Sequence, residues 1–162
     1  MKYDFVNELG YLALASRLKR LSDAMIHSGR KLYKELGLEI EPNWYLIFKL
    51  LKKYHRLSVM EIAEKIHFSH PSIISMLQKM QEAGYVQIIE DSKDGRKRIC
   101  RLTQKAMDEF PGLDRVWQSG EDGIRKLFSE HSRFMQELER LEIQFSESDF
   151  KDRTIRELQG NN

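Results

Sequence analysis

The sequence is poor in the residues that mark several classes of protein. Its single cysteine, Cys100, excludes an intramolecular disulfide framework and favours a reducing, cytoplasmic location. Three prolines and nine glycines in 162 residues argue against linkers and low-complexity segments. No apolar run approaches the roughly 18 residues of a membrane span, and the first ten residues lack the apolar stretch of a signal peptide. We therefore expect a cytoplasmic protein with no membrane partner.

The excess of positive over negative charge is also small, since the formal net charge is only +2. The distribution is uneven: Lys and Arg outnumber Asp and Glu by ten to six in residues 1–55 and by nine to six in residues 56–105, whereas residues 106–162 hold eight against thirteen. A basic excess in the first two thirds is compatible with a surface that faces nucleic acid. Imbalances of this size also arise by chance, so charge alone identifies no partner.

Motifs for catalysis and metal binding are missing as well. The five histidines show no metal-ligand spacing with one another, and Cys100 has no cysteine partner. The sequence contains no Gly-rich phosphate loop and no nucleophile motif. We expect no metal, no cofactor and no enzymatic activity. Cys100 shares a face of its predicted strand with Leu102, which predicts a buried small hydrophobe rather than a redox sensor.

Apolar residues at helical spacing predict helices over most of the chain. The first helix spans about residues 7–36. The second follows Pro42 and is apolar nearly all round, so we expect it to be buried on several sides. The third begins at Ser58 with a capping-box sequence, and the fourth follows an N-cap at Ser69 and ends at Gly84.

The apolar pattern alternates after Gly84, which predicts a β-hairpin with strands at residues 85–90 and 97–102. Helical periodicity then resumes, with an interruption at Pro111-Gly112, and a last helix carries an apolar stripe from Phe134 to Phe145. The tail after about Glu157 is expected to be loose. The predicted order is therefore four helices, a hairpin and two helices.

Two helices joined by a tight turn and followed at once by a hairpin predict a winged helix-turn-helix. An α-helix fits the major groove of DNA, where its exposed side chains can meet base edges. Ile74 lies off the main apolar stripe and either packs locally or touches a thymine methyl. In isolation, the same segment is equally consistent with an ordinary amphipathic surface helix. The residues expected to face DNA from this helix are Ser69, His70, Ser72, Ser75 and Lys79.

The predicted hairpin tip concentrates positive charge. Asp94 either holds the turn or orients Arg96 through a charge-assisted hydrogen bond. Arg96 would then be directed at a narrow, negative minor groove. A charged turn is usually only solvated, so the tip alone would not indicate DNA binding. It does so here because the helix pair precedes it. The cations expected to contact DNA from the tip are Lys93, Arg96, Lys97 and Arg98.

Three motifs identify a likeness to a known family: Glu61-Ile62-Ala63, the run Leu77…Met80…Ala83-Gly84-Tyr85-Val86, and Asp91-x-x-Asp94-Gly95-Arg96 followed by Leu102-Thr103. With these motifs, residues 58–106 resemble the DNA-binding core of the MarR (multiple antibiotic resistance regulator) family. The flanking helices fit the same architecture, so the resemblance extends to about residue 145. It implies that Arg96 is the wing arginine, that Asp94 is its partner, and that Ser72 and Ser75 are recognition-helix positions.

The resemblance also implies a homodimer built mainly by the first and last helices. The expected fold is mainly α with a small β-hairpin wing, a winged helix-turn-helix flanked by long N- and C-terminal dimerisation helices. We expect an N-terminal dimerisation helix in residues 1–36, the winged helix-turn-helix in residues 42–105, and C-terminal dimerisation helices in residues 106–158.

We therefore predict a sequence-specific DNA-binding transcriptional regulator, a homodimeric repressor that binds a pseudo-palindromic operator in double-stranded DNA. A small-molecule effector would shift the population away from DNA. The alternative is a winged-helix dimerisation or adaptor module that binds protein rather than DNA, which a DNA shift assay would distinguish. The candidate effector pocket consists of aromatic residues that would serve equally well as plain core: Tyr11, Trp44, Tyr45, Phe48 and Trp117.

Overall fold

The computed structural model describes residues 4–91, 94–95, 97–129 and 132–160. The chain divides into two compact units, Met1–Arg115 and Val116–Asn162. Within the described residues, every side chain that is buried belongs to the first unit. That unit also contains the β-sheet and the segment with the helix-turn-helix pattern.

The N-terminal segment is broken, whereas the sequence predicted one helix over residues 7–36. It consists of a short helix α1 (Phe5–Glu8), a 3₁₀ turn (Gly10–Ala13) and a long helix α2 (Leu14–Glu35). The prediction was wrong at its start because Gly10 adopts a φ of 54°, which ends α1 and turns the chain into α2. The predicted end near Gly37 is confirmed, and this glycine has a left-handed φ of 67°.

Three helices follow in the first unit: α3 (Trp44–Tyr54), α4 (Val59–Ile66) and α5 (His70–Glu82). The prediction that α3 is buried on several sides was wrong, because Tyr45 and Tyr54 are 42% and 40% exposed. The buried residues have i, i+3, i+4 and i+7 spacing and therefore form one face of the helix: Trp44, Ile47, Phe48 and Leu51. Ile62 of α4 packs into the same core. Helix α4 contacts α3, α5 and β3, and α5 contacts β2, so the core fixes the position of the helix pair relative to the sheet.

The capping box predicted at the start of α4 is confirmed. Ser58 Oγ accepts a hydrogen bond from the Glu61 amide at 3.2 Å, and Glu61 Oε2 accepts one from the Ser58 amide at 2.7 Å. The Ser58 hydroxyl also donates to Glu61 Oε2 at 2.7 Å. This bond to the hydroxyl, together with the bond from the amide, lowers the pKa of the Glu61 carboxyl below its ordinary value.

The sheet has three antiparallel strands, of which the sequence predicted two: β1 (Leu57–Ser58), β2 (Val86–Glu90) and β3 (Arg98–Leu102). The strand order is β1-β3-β2. The predicted hairpin of β2 and β3 is confirmed, and β1 pairs with β3 on the side opposite β2. Cys100 lies opposite Leu57 on one side and Ile88 on the other. It is fully buried, as predicted from its strand face, and burial raises the pKa of its thiol to about 11.

Helix α6 (Gln104–Arg125) runs without a break through Pro111, so the predicted interruption at Pro111-Gly112 was wrong. A proline in a helix interior removes one backbone hydrogen bond and destabilises the helix by about 3 kcal/mol. Here Phe110 and Leu113, on either side of it, are buried in the first unit. Their packing offsets the local cost, and the helix continues.

The second unit continues with α7 (Phe134–Glu147) and α8 (Phe150–Gly160). The predicted last helix corresponds to α7. The expectation of a loose tail after Glu157 was wrong, because α8 continues to Gly160. Arg153 explains part of this order, because its guanidinium donates to the main-chain oxygens of Gln144 and Ser148 at the end of α7 and so ties α8 to α7.

Candidate nucleic-acid interface

Helix α5 is the predicted recognition helix, and its orientation follows from its buried side. Ile73, Leu77 and Met80 are fully buried against α4 and β2. Ser69 caps the helix, accepting a hydrogen bond from the Ser72 amide at 3.4 Å, and Pro71 occupies the first turn, where its missing N–H costs nothing. The opposite side of α5 is left facing solvent.

The residues that the sequence placed on this outer side are exposed: His70, Ser72, Ser75 and Lys79. The structure adds that Ser69 Oγ and Ser72 Oγ lie 2.7 Å apart and hydrogen-bond to each other. Two of the predicted DNA contacts therefore also hold the start of α5. Because one hydroxyl donates to the other, the pair retains one O–H donor for a phosphate oxygen.

The hairpin tip is organised by Asp91. Its Oδ1 accepts a hydrogen bond from the Asp94 amide at 3.0 Å, and backbone bonds from the Asp91 amide to Lys97 O (2.9 Å) and from the Lys97 amide to Asp94 O (2.8 Å) close the turn. Lys97 is exposed at this end of the hairpin. Lys93 and Arg96 lie outside the described residues, so their contacts with DNA stay predictions. The two alternatives for the Asp94 side chain, holding the turn or orienting Arg96, also stay predictions.

Arg98, at the first position of β3, faces Glu90 across the hairpin. The two side chains form an ion pair, with Arg98 Nη1 at 2.9 Å from Glu90 Oε1, and both are more than half exposed. Surface pairs of this kind contribute at most about 1 kcal/mol. A phosphate oxygen can therefore compete with Glu90 for the guanidinium.

Thr103 joins the end of α5 to the start of α6. Its Oγ1 donates to Gly84 O at 2.7 Å and accepts from the Ala106 amide at 3.2 Å, so the same hydroxyl caps α6 and satisfies a carbonyl in the turn after α5. Its backbone amide donates to Tyr85 O at 3.0 Å. Gly84 has a φ of 77°, which only glycine adopts freely. The Leu-Thr motif thus has a structural role in this chain.

Tyr85 fills the space beneath this junction. Its ring packs edge-on against Trp44 and Phe48, with ring centroids 6.0 and 5.3 Å away, and its hydroxyl donates to Glu109 Oε2 at 2.9 Å. The Lys105 ammonium lies 4.2 Å from the ring centroid. Burial, and then the bond to Glu109, raise the pKa of Tyr85. Sequence analysis missed Lys105 and Glu109, although their i, i+4 spacing places them on one face of α6.

The candidate effector pocket is not assembled around one space in the first unit. Trp44 and Phe48 are buried in the core against Tyr85, whereas Tyr11 is 95% exposed and Tyr45 is 42% exposed. Trp117 belongs to the second unit. Ligand binding by these aromatic residues stays a prediction.

Over the residues that the structure describes, no helix is both long and apolar enough to span a membrane. The same residues contain no group of three or more His, Cys, Asp or Glu side chains placed to hold a metal ion.

Comparison with known proteins agrees with this geometry. Residues 38–97 match the model of the MarR family. Over 127 residues the chain is 29% identical to the organic hydroperoxide resistance transcriptional regulator of Bacillus subtilis (strain 168), which covers 72% of this chain and 86% of that protein.

Among solved structures, reduced AbfR bound to DNA superimposes with a TM-score of 0.68 at 19% identity, covering 83% of this chain and 91% of that one. A mutant MarR from E. coli complexed with operator DNA gives a TM-score of 0.68 at 13% identity, covering 87% and 99%. At these identities the likeness establishes the winged helix-turn-helix fold.

Proposed function

Because residues 38–97 match the model of the MarR family and the first unit folds as a winged helix-turn-helix, we propose that this chain is a sequence-specific, DNA-binding transcriptional regulator. It acts as a homodimeric repressor on a pseudo-palindromic operator in the cytoplasm, with a small-molecule effector as its candidate signal. The two half-sites would lie about one helical turn, or 34–36 Å, apart. The proposal is for a regulator rather than an enzyme.

The observation that carries the proposal is the outer side of α5 beside the hairpin. Ser75 and Lys79 are exposed, and neither side chain has a hydrogen-bond or ion-pair partner among the described residues. Lys97 is exposed at the tip of the adjacent hairpin. A helix with free polar groups next to a basic projection matches the way winged domains address a major groove and its neighbouring phosphates. The residues proposed to contact DNA are Ser69, His70, Ser72, Ser75, Lys79, Lys93, Asp94, Arg96, Lys97 and Arg98.

Exposed apolar side chains support the homodimer. In α2, apolar residues at helical spacing form a stripe whose members are 38–55% exposed. The second unit exposes a comparable set from α7 and α8. Apolar surface of this extent usually marks a protein interface. The α2 stripe consists of Leu14, Leu18, Leu21, Met25 and Leu32; the second-unit set consists of Phe134, Met135, Ile143, Phe145, Phe150, Ile155 and Leu158.

The test is a DNA titration at several salt concentrations, using fragments selected from genomic DNA by the purified protein. Each phosphate contact contributes about 0.9 to the slope of log affinity against log salt. Lys79→Ala should therefore weaken binding and lower the slope by about 1 per half-site if Lys79 contacts a phosphate. Arg96→Ala should weaken operator binding severely while the protein still sediments at twice the 19.2 kDa chain mass.

Lys19→Ala is the matched control. Lys19 is also an exposed helical cation, but Asp23 pairs with it at 2.8 Å in α2. Its replacement should leave affinity and slope unchanged. Wild-type affinity in the Arg96→Ala variant would refute the wing assignment, and failure of the parent protein to select any DNA would refute the proposed function.

A further inference from the structure

The buried side of α5 determines which of its exposed residues point most directly outward. Successive residues of an α-helix are about 100° apart, so the direction opposite Ile73, Leu77 and Met80 passes closest to Pro71, Ser75 and Glu82. Glu82 is the last residue of α5, and recognition helices contact bases mainly with their N-terminal part. The part of α5 best placed to contact bases therefore centres on Ser75.

Two long polar side chains flank Ser75. On this geometry Lys79 lies about 55° to one side of the outward direction and Gln78 about 45° to the other. Both are exposed. The sequence predicted that Lys79 faces DNA, but Gln78 points at least as close to the outward direction as Lys79 does. A second glutamine, Gln81, is also exposed, but it points about 105° from the outward direction and lies in the last turn of α5, away from the N-terminal part that contacts bases.

The chemistry of Gln78 suits a base edge. Its amide carries a donor and an acceptor, and neither has a hydrogen-bond partner among the described residues. This pair of groups matches the N6 donor and N7 acceptor that adenine presents in the major groove. Serine hydroxyls accept or donate to either kind of base, so Ser72 and Ser75 discriminate less.

Ile74 lies one turn before Gln78 on the same flank, about 85° from the outward direction and nearer the N-terminus of α5. It is 38% exposed, although it is apolar. An exposed isoleucine at this position offers a contact for the methyl group of thymine. Four residues of α-helix advance about 6 Å, and successive base pairs are about 3.4 Å apart. The side chains of Ile74 and Gln78 can therefore contact bases that are at most two base pairs apart.

We propose that Gln78 is a base-reading residue that contacts an adenine in each half-site, with Ile74 packed on the methyl of a thymine within two base pairs of it. This inference rests on the proposed function, because it needs α5 to enter the major groove. It assigns base specificity to the flank formed by Ile74 and Gln78 and leaves phosphate contacts to Lys79 and the hairpin.

The experiment selects bound duplexes from a random DNA library with the parent protein, Gln78→Ala and Gln81→Ala, and sequences them. The parent should recover a symmetric motif with an adenine in each half-site. Gln78→Ala should lose preference at that position alone, by about 5- to 150-fold in relative affinity per half-site. Gln81→Ala should recover the parent motif, which controls for loss of a glutamine from the same helix.

Gln78→Glu provides a gain-of-preference arm, because a carboxylate accepts from the N4 amino group of cytosine. It should replace adenine by cytosine at the same position, with weaker overall binding. A Gln78→Ala motif identical to that of the parent would overturn the inference while leaving the proposed function intact. If the parent itself recovers no motif, the proposed function fails and the inference with it.

Discussion

Loss of the Thr103 hydroxyl should destabilise the first unit by about 2 kcal/mol. Thr103 Oγ1 accepts from the Ala106 amide at 3.2 Å and donates to Gly84 O at 2.7 Å. Removing a helix cap costs about 1 kcal/mol. Removing the partner of a half-buried carbonyl costs about 1 kcal/mol more. Thr103→Ala should therefore lower the free energy of unfolding by the sum of the two, and Thr103→Ser should recover most of it.

The assay is urea unfolding followed by the fluorescence of Trp44, which packs against Tyr85 beside the Thr103 junction. The chain has two tryptophans, so a Trp117→Phe background leaves Trp44 as the reporter of the first unit. Protein concentration is held fixed because a dimer links stability to concentration. With an m-value of about 2 kcal/mol/M, the midpoint of Thr103→Ala should fall by about 1 M.

Ser75→Ala is the control for loss of a hydroxyl in the same unit. Ser75 is exposed in α5, so its replacement should change the free energy of unfolding by no more than about 0.5 kcal/mol. A Thr103→Ala midpoint equal to that of Ser75→Ala would refute the reasoning, because it would mean that the hydroxyl stabilises neither the α6 cap nor the turn after α5.

Two further predictions concern titrating groups. The Ser58 hydroxyl lowers the pKa of Glu61, so the ionised carboxylate stabilises the fold above its ordinary pKa of 4.5 and this stabilisation is lost as pH falls. The difference in unfolding free energy between the parent and Glu61→Gln should shrink below pH 4.5 in urea titrations; a difference independent of pH would contradict this. Because burial raises the pKa of Cys100 to about 11, an alkylating reagent at pH 8 should label it slowly in the folded protein and rapidly in urea, as measured by mass spectrometry. Equal labelling rates would be inconsistent with a buried thiol.

Local sequence signals predicted the helix-turn-helix and the hairpin well. The capping box at Ser58, the N-cap at Ser69 and the stop at Gly84 each depend on residues within a few positions, and the structure confirms all three. The outer side of α5 followed from the apolar period alone. The hydrogen bond between Ser69 and Ser72 did not, because side-chain rotamers are not encoded in periodicity.

The features that escaped prediction depend on tertiary contacts. Strand β1 is only two residues long, so it has no readable period, and it exists because Leu57 pairs with Cys100 far along the chain. A helix was expected to stumble at Pro111, but burial of Phe110 and Leu113 outweighs the local cost. At Gly10 a helix was predicted to continue, because a single glycine is compatible with a helical pattern. In the structure Gly10 has a positive φ, and the helix is interrupted there.

The double use of Ser58 restricts what evolution can place at that position. As the last residue of β1 it needs extended backbone, with φ of −71° and ψ of 159°, and as the N-cap of α4 it needs a short side chain with an oxygen acceptor. Aspartate meets the second requirement but would set its carboxylate against that of Glu61, 2.7 Å from the present hydroxyl. Threonine satisfies both demands and favours extended backbone. Asparagine is neutral and also supplies an oxygen acceptor at an N-cap. A saturation library at this position, sorted for folded protein, should therefore be enriched in serine, threonine and asparagine and depleted in aspartate.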